Sequence, residues 1–356
     1  MAIIKRNLIR KDVLELMDRR QHEQNRIIYD YLTKHPQEKG YYHKLWKKIL
    51  NLNETHLNRV LPMQELPKKV SYEEMLYLAR FFRYIEDTLA NIYQQRMPLP
   101  EDFMIEGVNL GNFSAEWQIP PSSLEDRVLL YLHGGGFVLG SVNDHRLLTV
   151  TLAEKLQLKV LSLDYRLAPE NCFPTHLTDC VFAYKWLLSE GIQPQNILIA
   201  GDSAGGALTL TTLLKLKQNH IPLPNGAICL SPVTDLSYTD EIFYINAKTD
   251  PVLANKGIFW WTYAYIRDHN PRDPLLSPLF GDLKGIPPIL IQASTCEMLY
   301  GDAERFAITA KAAGVNVNLE TWEDMIHVFP YFGLNSLPET QEAINNIKKF
   351  VNKLFS

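Results

Sequence analysis

The sequence predicts an α/β domain: a mainly parallel central sheet with helices on both faces. Three observations carry that prediction. From about Met104 onward, short apolar runs alternate with stretches of helical periodicity, the pattern of strands joined by right-handed crossovers. One such run, NILIA, ends in GDSAG at residues 201–205, and a helical stretch follows at once. Another, LLYL, ends in a histidine and three glycines at residues 133–136.

The 356 residues suffice for one large α/β domain or two modest ones. The first hundred read as helices over 8–32, 41–50 and 72–95, the last opened by Ser71 and Glu74 at capping-box spacing. No β-type alternation appears before Pro100. FMIEGVNLG and FSAEWQI then read as an antiparallel pair of strands around a turn. RVLLYL, KVLSLDY, NILIAG, GAICLS, PPILIQAS and VNVNLETW follow as sheet strands, with helices over 204–218 and 302–313 and an amphipathic C-terminal helix over 339–354. Between residues 235 and 278 the alternation stops, and an aromatic-rich segment containing IFWWTYAYI takes its place. An insertion there sits above the C-terminal strand ends, where open α/β sheets place their sites. The division is an N-terminal helical segment, 1–100, and an α/β domain, 101–356, with an insertion near 236–278.

Charge and cysteine usage narrow the function classes. A net charge of −4 gives no general attraction to nucleic acid or to anionic lipid. Cys172, Cys180, Cys229 and Cys296 form no CxxC pair and no zinc-type spacing, so reduced thiols are expected and no metal. The opening stretch MAIIKRNLIRKDVLELMDRR is charged throughout and lacks the apolar core of a signal peptide. No run approaches the ~18 apolar residues of a membrane span. The expectation is a soluble cytoplasmic protein without a nucleic-acid partner or stable membrane insertion.

The chemistry lies in residues that converge at the strand ends. GDSAG between a strand and a helix is the setting of a nucleophile elbow. It exposes Ser203 on a sharp turn and aims the amides of the next helix at it. A serine hydroxyl needs a base, commonly a histidine oriented by a carboxylate, in the chain order Ser, acid, His. Downstream of Ser203, His220 ends the following helix and His269 lies in the aromatic insertion. His327 follows the last predicted strand and is the predicted base. For the acid, Glu297 comes directly after PPILIQAS and is favoured; Asp302, one turn later at a helix start, is the alternative. The glycines answer the remaining need, backbone N–H groups facing a developing oxyanion. Gly135 with one neighbour, Gly134 or Gly136, and the amide of Ala204 are the predicted donors, while His133 is read as orienting the loop through hydrogen bonds. The scheme uses no metal or organic cofactor.

HGGGF (133–137), DYRLAPE (164–170), GDSAGG (201–206) and HVF (327–329), in this order, resemble the hormone-sensitive-lipase-like branch of the α/β-hydrolases, over roughly residues 104–350. The resemblance implies an α/β-hydrolase fold and a carboxylesterase acting on small or medium acyl esters. It carries over Ser203 as nucleophile, His327 as base, and the HGGG glycines with Ala204 as oxyanion donors. Within DYRLAPE, Asp164 and Arg166 are read as a buried pair bracing the oxyanion loop. Most members carry Asp-Pro-Leu at the acid position; this chain has Glu-Met-Leu, as some members do. Family caps combine N-terminal helices with an insertion, here parts of 40–100 and 236–278, with Phe81, Phe82, Tyr84, Trp260 and Trp261 as candidate lining. The first forty-odd residues have no placed counterpart. Homodimerisation through the sheet edge is common in that family, though no residue here carries it. Two other readings share the scaffold: an amidase or formamidase on the same triad, and a non-catalytic ligand receptor. Long-chain lipase action is disfavoured, because no amphipathic segment reads as an interfacial lid.

Overall fold

The computed structural model describes residues 9–59, 69–254 and 257–356. Leu8, the predicted start of the first helix, lies outside the described residues, as do 60–68 and 255–256 of the two cap stretches. Three helices open the chain: α1 (Lys11–Lys34), α2 (Pro36–Arg59) and α3 (Tyr72–Arg96). α2 has 24 residues, more than twice the length of the predicted 41–50. Pro36 opens it at a position where a missing N–H costs nothing. Exposed Gly40 weakens it by about 1 kcal/mol, but Tyr42, Leu45 and Ile49 bury one face of the same helix, each contributing about 1.5–3 kcal/mol. α3 carries the predicted capping box: Glu74 N donates to Ser71 Oγ at 3.2 Å and Ser71 N to Glu74 Oε2 at 2.8 Å.

Eight strands form one sheet: β1 (Met104–Asn109), β2 (Ser114–Ile119), β3 (Leu124–Leu132), β4 (Leu158–Asp164), β5 (Ile197–Asp202), β6 (Gly226–Leu230), β7 (Ile289–Ser294) and β8 (Val317–Trp322). Their order is β1-β2-β4-β3-β5-β6-β7-β8. β1 and β2 pair antiparallel, as predicted, and β2 runs antiparallel to β4; every other pair is parallel. α4 (Val142–Leu156) and α10 (Pro338–Leu354) cover one face of the sheet; α5 (Thr175–Ser189), α6 (Ala204–Gln218) and α9 (Tyr300–Ala312) cover the other. The period of two along a strand separates two cores. Val128, Leu130 and Leu132 of β3 face α5 and α6, whereas Leu129 and Tyr131 face α4 and α10. β5 repeats this with Ile197 and Ile199 against Leu198 and Ala200. A sheet covered on both sides makes its strands continuously apolar, which is why they read as runs rather than as alternation.

The insertion holds two short helices, α7 (Glu241–Asn246) and α8 (Ile258–Ile266). α8 is apolar on all sides because it is buried, packing against α2. α1 docks where nothing in the sequence placed it. Ile9 and Val13 pack with Met325, Ile326 and Phe329, and Arg10 Nη1 lies 2.5 Å from Glu339 at the start of α10. The four cysteines are free thiols, Cys180 and Cys229 buried. Among the described residues no helix is long and apolar enough to cross a membrane.

The expected Asp164–Arg166 pair does not form. Arg166 pairs with buried Asp179 of α5, through Nη2 at 2.6 Å and Nε at 3.0 Å. Asp164 is exposed and accepts from Ser114 Oγ at 3.4 Å. The strand pleat is the cause: Leu163 and Tyr165 fill the core, which turns the residue between them outward.

Candidate active site

Ser203, the glycine loop, Glu297 and His327 all follow C-terminal strand ends, of β5, β3, β7 and β8. Ser203 forms the turn from β5 into α6 with φ 52° and ψ −116°, a conformation an L-residue holds only where its surroundings impose it. Ser203 N donates to Leu230 O at 2.8 Å, and Val233 N donates to Ser203 O at 3.2 Å. Close packing beneath the turn requires Gly205, where a Cβ would lie 1.9 Å from Leu132 O.

Ser203 Oγ lies 2.9 Å from His327 Nε2, and His327 Nδ1 lies 2.5 Å from Glu297 Oε2. The other carboxylate oxygen of Glu297 accepts from Ser294 N at 3.0 Å. Glu297 is fully buried and His327 nearly so. Burial pushes the His327 imidazole down, but the hydrogen bond and charge of Glu297, with the charges of Asp250 and Asp202, outweigh it and lift the group above its ordinary value. Asp302 faces elsewhere. Its Oδ2 accepts from Thr234 N at 2.6 Å and Asp235 N at 2.9 Å, and its Oδ1 lies 3.3 Å from Arg305 Nη2. Burial pushes its carboxyl up to about 7. Of the two candidate acids, the structure brings Glu297 to His327 and commits Asp302 to the turn after β6.

The glycine loop is fixed from several sides. Tyr165 Oη donates to His133 O at 2.7 Å, and His133 Nδ1 donates to Gly134 O at 2.8 Å. His176 Nε2 donates to Phe137 O at 2.9 Å, and Arg83 Nε of α3 donates to Val138 O at 2.8 Å. His133 is neutral: burial, together with the charge of His145, pushes it down to about 4. Gly135 takes φ 110°, where a Cβ would lie 2.3 Å from Leu139 O. One predicted donor is corrected. Gly134 N already donates to Asp202 Oδ1 at 3.0 Å, so it is not available to a substrate oxygen. The amides of Gly135, Gly136 and Ala204 have no hydrogen-bond partner among the described residues.

The structure adds two residues to the site: Asp202, inside GDSAG, and His145 of α4, for which the sequence carries no local signal. Asp202 also accepts from Tyr131 Oη at 2.7 Å and lies 3.3 Å from His145 Nε2. Burial lowers the His145 imidazole, but Asp202 and Asp144 dominate and raise it to about 9. This second imidazole–carboxylate pair makes no hydrogen bond to Ser203 Oγ.

A cavity of about 550 Å³ opens above Ser203 and His327. Its apolar wall includes Ile28 of α1, Trp46 of α2, Phe82 of α3, and Val252, Leu253 and Trp261 of the insertion. Two of the five candidate lining aromatics therefore reach it. Phe81 packs among Tyr31 and Tyr42, Tyr84 is exposed, and Trp260 is buried away from the cavity. The unplaced first forty residues supply part of the wall through α1.

A serine at a tight strand–helix turn, a histidine on its hydroxyl and an unblocked glycine loop meet at the ends of a mainly parallel sheet. The profile of the α/β-hydrolase fold family matches residues 129–331. The chain belongs to the α/β-hydrolase family. Within it the chain is similar to a Streptomyces hygroscopicus protein named acetyl-hydrolase, 38% identical over 67% of this chain and 79% of the relative. An esterase of Acinetobacter venetianus is 35% identical over 76% of this chain and 88% of that protein. A solved esterase from the bacterial hormone-sensitive lipase family superposes with a TM-score of 0.73 at 41% identity, covering 77% of this chain and 91% of its own. The hydrolase is thus of the hormone-sensitive-lipase-like type.

Proposed function

We propose that this hydrolase cleaves carboxylic esters of short to medium acyl length through an acyl-enzyme on Ser203. The observation that carries the proposal is the unbroken line Ser203 Oγ, His327, Glu297, at 2.9 and 2.5 Å. His327 Nε2 takes the hydroxyl proton as Oγ attacks the ester carbonyl. Glu297 holds the ring with Nδ1 protonated and stabilises the imidazolium. The oxyanion meets the amides of Gly135, Gly136 and Ala204. His327 then gives its proton to the departing alkoxide, the alcohol leaves, and a water activated by the same imidazole releases the acid. The reading is supported by the esterase and acetyl-hydrolase names of the relatives and by the size of the cavity, about 550 Å³. Because His327 must be neutral to act as base, and its pKa is raised, kcat/KM falls with decreasing pH at a value above ordinary histidine.

A fluorophosphonate probe tests the nucleophile: one label per wild-type chain and none on Ser203→Ala. Stoichiometric labelling of that variant removes Ser203 from the role. Initial rates across p-nitrophenyl esters from acetate to laurate test the acyl range, with the highest kcat/KM among the short and medium chains. A cytoplasmic site of action and homodimerisation through an edge of the sheet belong to the same reading. Sedimentation equilibrium tests the dimer.

A further inference from the structure

Four consecutive residues carry the acid, 295–298, and each uses a backbone group on the insertion. Asn246 Nδ2, at the end of α7, donates to Thr295 O and to Glu297 O, both at 2.9 Å. Thr249 Oγ1 donates to Cys296 O at 3.0 Å, and Met298 N donates to Asp250 Oδ2 at 2.9 Å. The β7–β8 ladder stops at Ser294 and Trp322, so the partly buried carbonyls beyond it take partners elsewhere. The insertion provides them across about fifty residues of sequence. Asp250 is itself buried, and its Oδ1 accepts from Val252 N at 2.8 Å and Leu253 N at 2.9 Å. Those two residues line the substrate cavity. One carboxylate therefore joins the cavity wall to the residue after Glu297. α7 is anchored in turn, because Asp240 at its N-cap pairs with Arg305 of α9 at 2.9 Å.

We infer that Asn246, Thr249 and Asp250 are positioning residues that hold Glu297 against His327, so that the packing of the insertion sets the geometry of the acid. The inference rests on the triad reading above. It makes the insertion more than a wall: contacts made by a substrate at Val252 and Leu253 are transmitted through Asp250 to the acid turn. An acid displaced by about 1 Å leaves the imidazole poorly oriented, which costs up to about a hundredfold in rate. The charged groups acting on His327 are Glu297, Asp250 and Asp202. Loosening Glu297 or neutralising Asp250 therefore lowers the His327 pKa and moves the acid limb of kcat/KM to lower pH.

The test measures kcat per fluorophosphonate-titrated site, KM and the pH profile for Thr249→Val, Asn246→Leu and Asp250→Asn. Counting titrated sites removes any unfolded fraction. The expected result is a fall in kcat of about tenfold to a hundredfold, little change in KM, and an acid limb displaced downward, furthest in Asp250→Asn. Thr249→Ser, which keeps the hydroxyl, restores the wild-type values. Unchanged kcat per site and an unchanged limb, with only a lower Tm, overturn the inference and leave the segment a structural support. Glu297→Gln measured alongside separates the two levels. If it keeps wild-type turnover, the triad reading fails and takes this inference with it. If it is crippled while the three insertion variants are silent, this inference fails alone.

Discussion

Two buried imidazole–carboxylate pairs stand near the nucleophile: His327 with Glu297, which meets the Ser203 hydroxyl, and His145 with Asp202, which does not. Both imidazoles are buried, and both are raised by a carboxylate. They differ in what the carboxylate and the second nitrogen touch. Asp202 gathers Tyr131, Gly134 N and His145, tying β3, α4 and the glycine loop to the turn before the nucleophile. Asp202 and Asp144 raise the His145 imidazole to about 9, and its Nε2 faces Asp202 and not Ser203 Oγ, so it is not placed to take the serine's proton. His327 meets Ser203 Oγ with its free nitrogen, and Glu297 receives the opposite one. An imidazole–carboxylate pair beside a nucleophile is thus a base or a strut according to its remaining partners.

Breaking the first pair has the largest expected effect. Glu297→Gln lowers kcat by on the order of 10⁴-fold and moves the acid limb of kcat/KM to lower pH, read in a pH series with a p-nitrophenyl ester. Breaking the second acts through the loop. Asp202→Asn leaves Gly134 N or His145 badly matched and misaligns the oxyanion donors, lowering kcat by about 10²-fold while fluorophosphonate still labels Ser203.

The second pair also makes a stability prediction with a definite sign. A histidine whose folded pKa is raised contributes stability that is fully present below its unfolded pKa, about 6.5, and is lost as pH rises through about 9. The Tm difference between wild type and His145→Gln is therefore largest at mildly acidic pH and shrinks above about 9. The smallest catalytic effect belongs to Asp302→Asn. It weakens the contacts to Thr234, Asp235 and Arg305 and costs about 1–3 kcal/mol of stability in urea unfolding, while kcat per folded site stays within about threefold of wild type.

The strands and the elbow were legible because local rules determine them. Apolar runs bounded by turns marked all six later strands, and GDSAG between a strand and a helix located Ser203. Glu297 was reached from its place directly after β7. The unread parts depend on neighbours far away in sequence. Asp202 was visible within the motif, but its bond to Gly134 needs β3 beside β5, an adjacency that no local pattern states. The same holds for the contact of α1 with the His327 loop and for the bonds of Asn246 to the acid turn. The Asp164–Arg166 pair expected within DYRLAPE does not form because the pleat turns Asp164 outward and Arg166 takes Asp179.

The claim that His327, and not His145, activates Ser203 is tested most directly by the rate of fluorophosphonate labelling in His327→Gln and His145→Gln at neutral pH. The account predicts that His327→Gln slows labelling by on the order of 10³-fold or more, and His145→Gln by about tenfold or less. The reverse ranking, with fast labelling in His327→Gln and near-silence in His145→Gln, contradicts it.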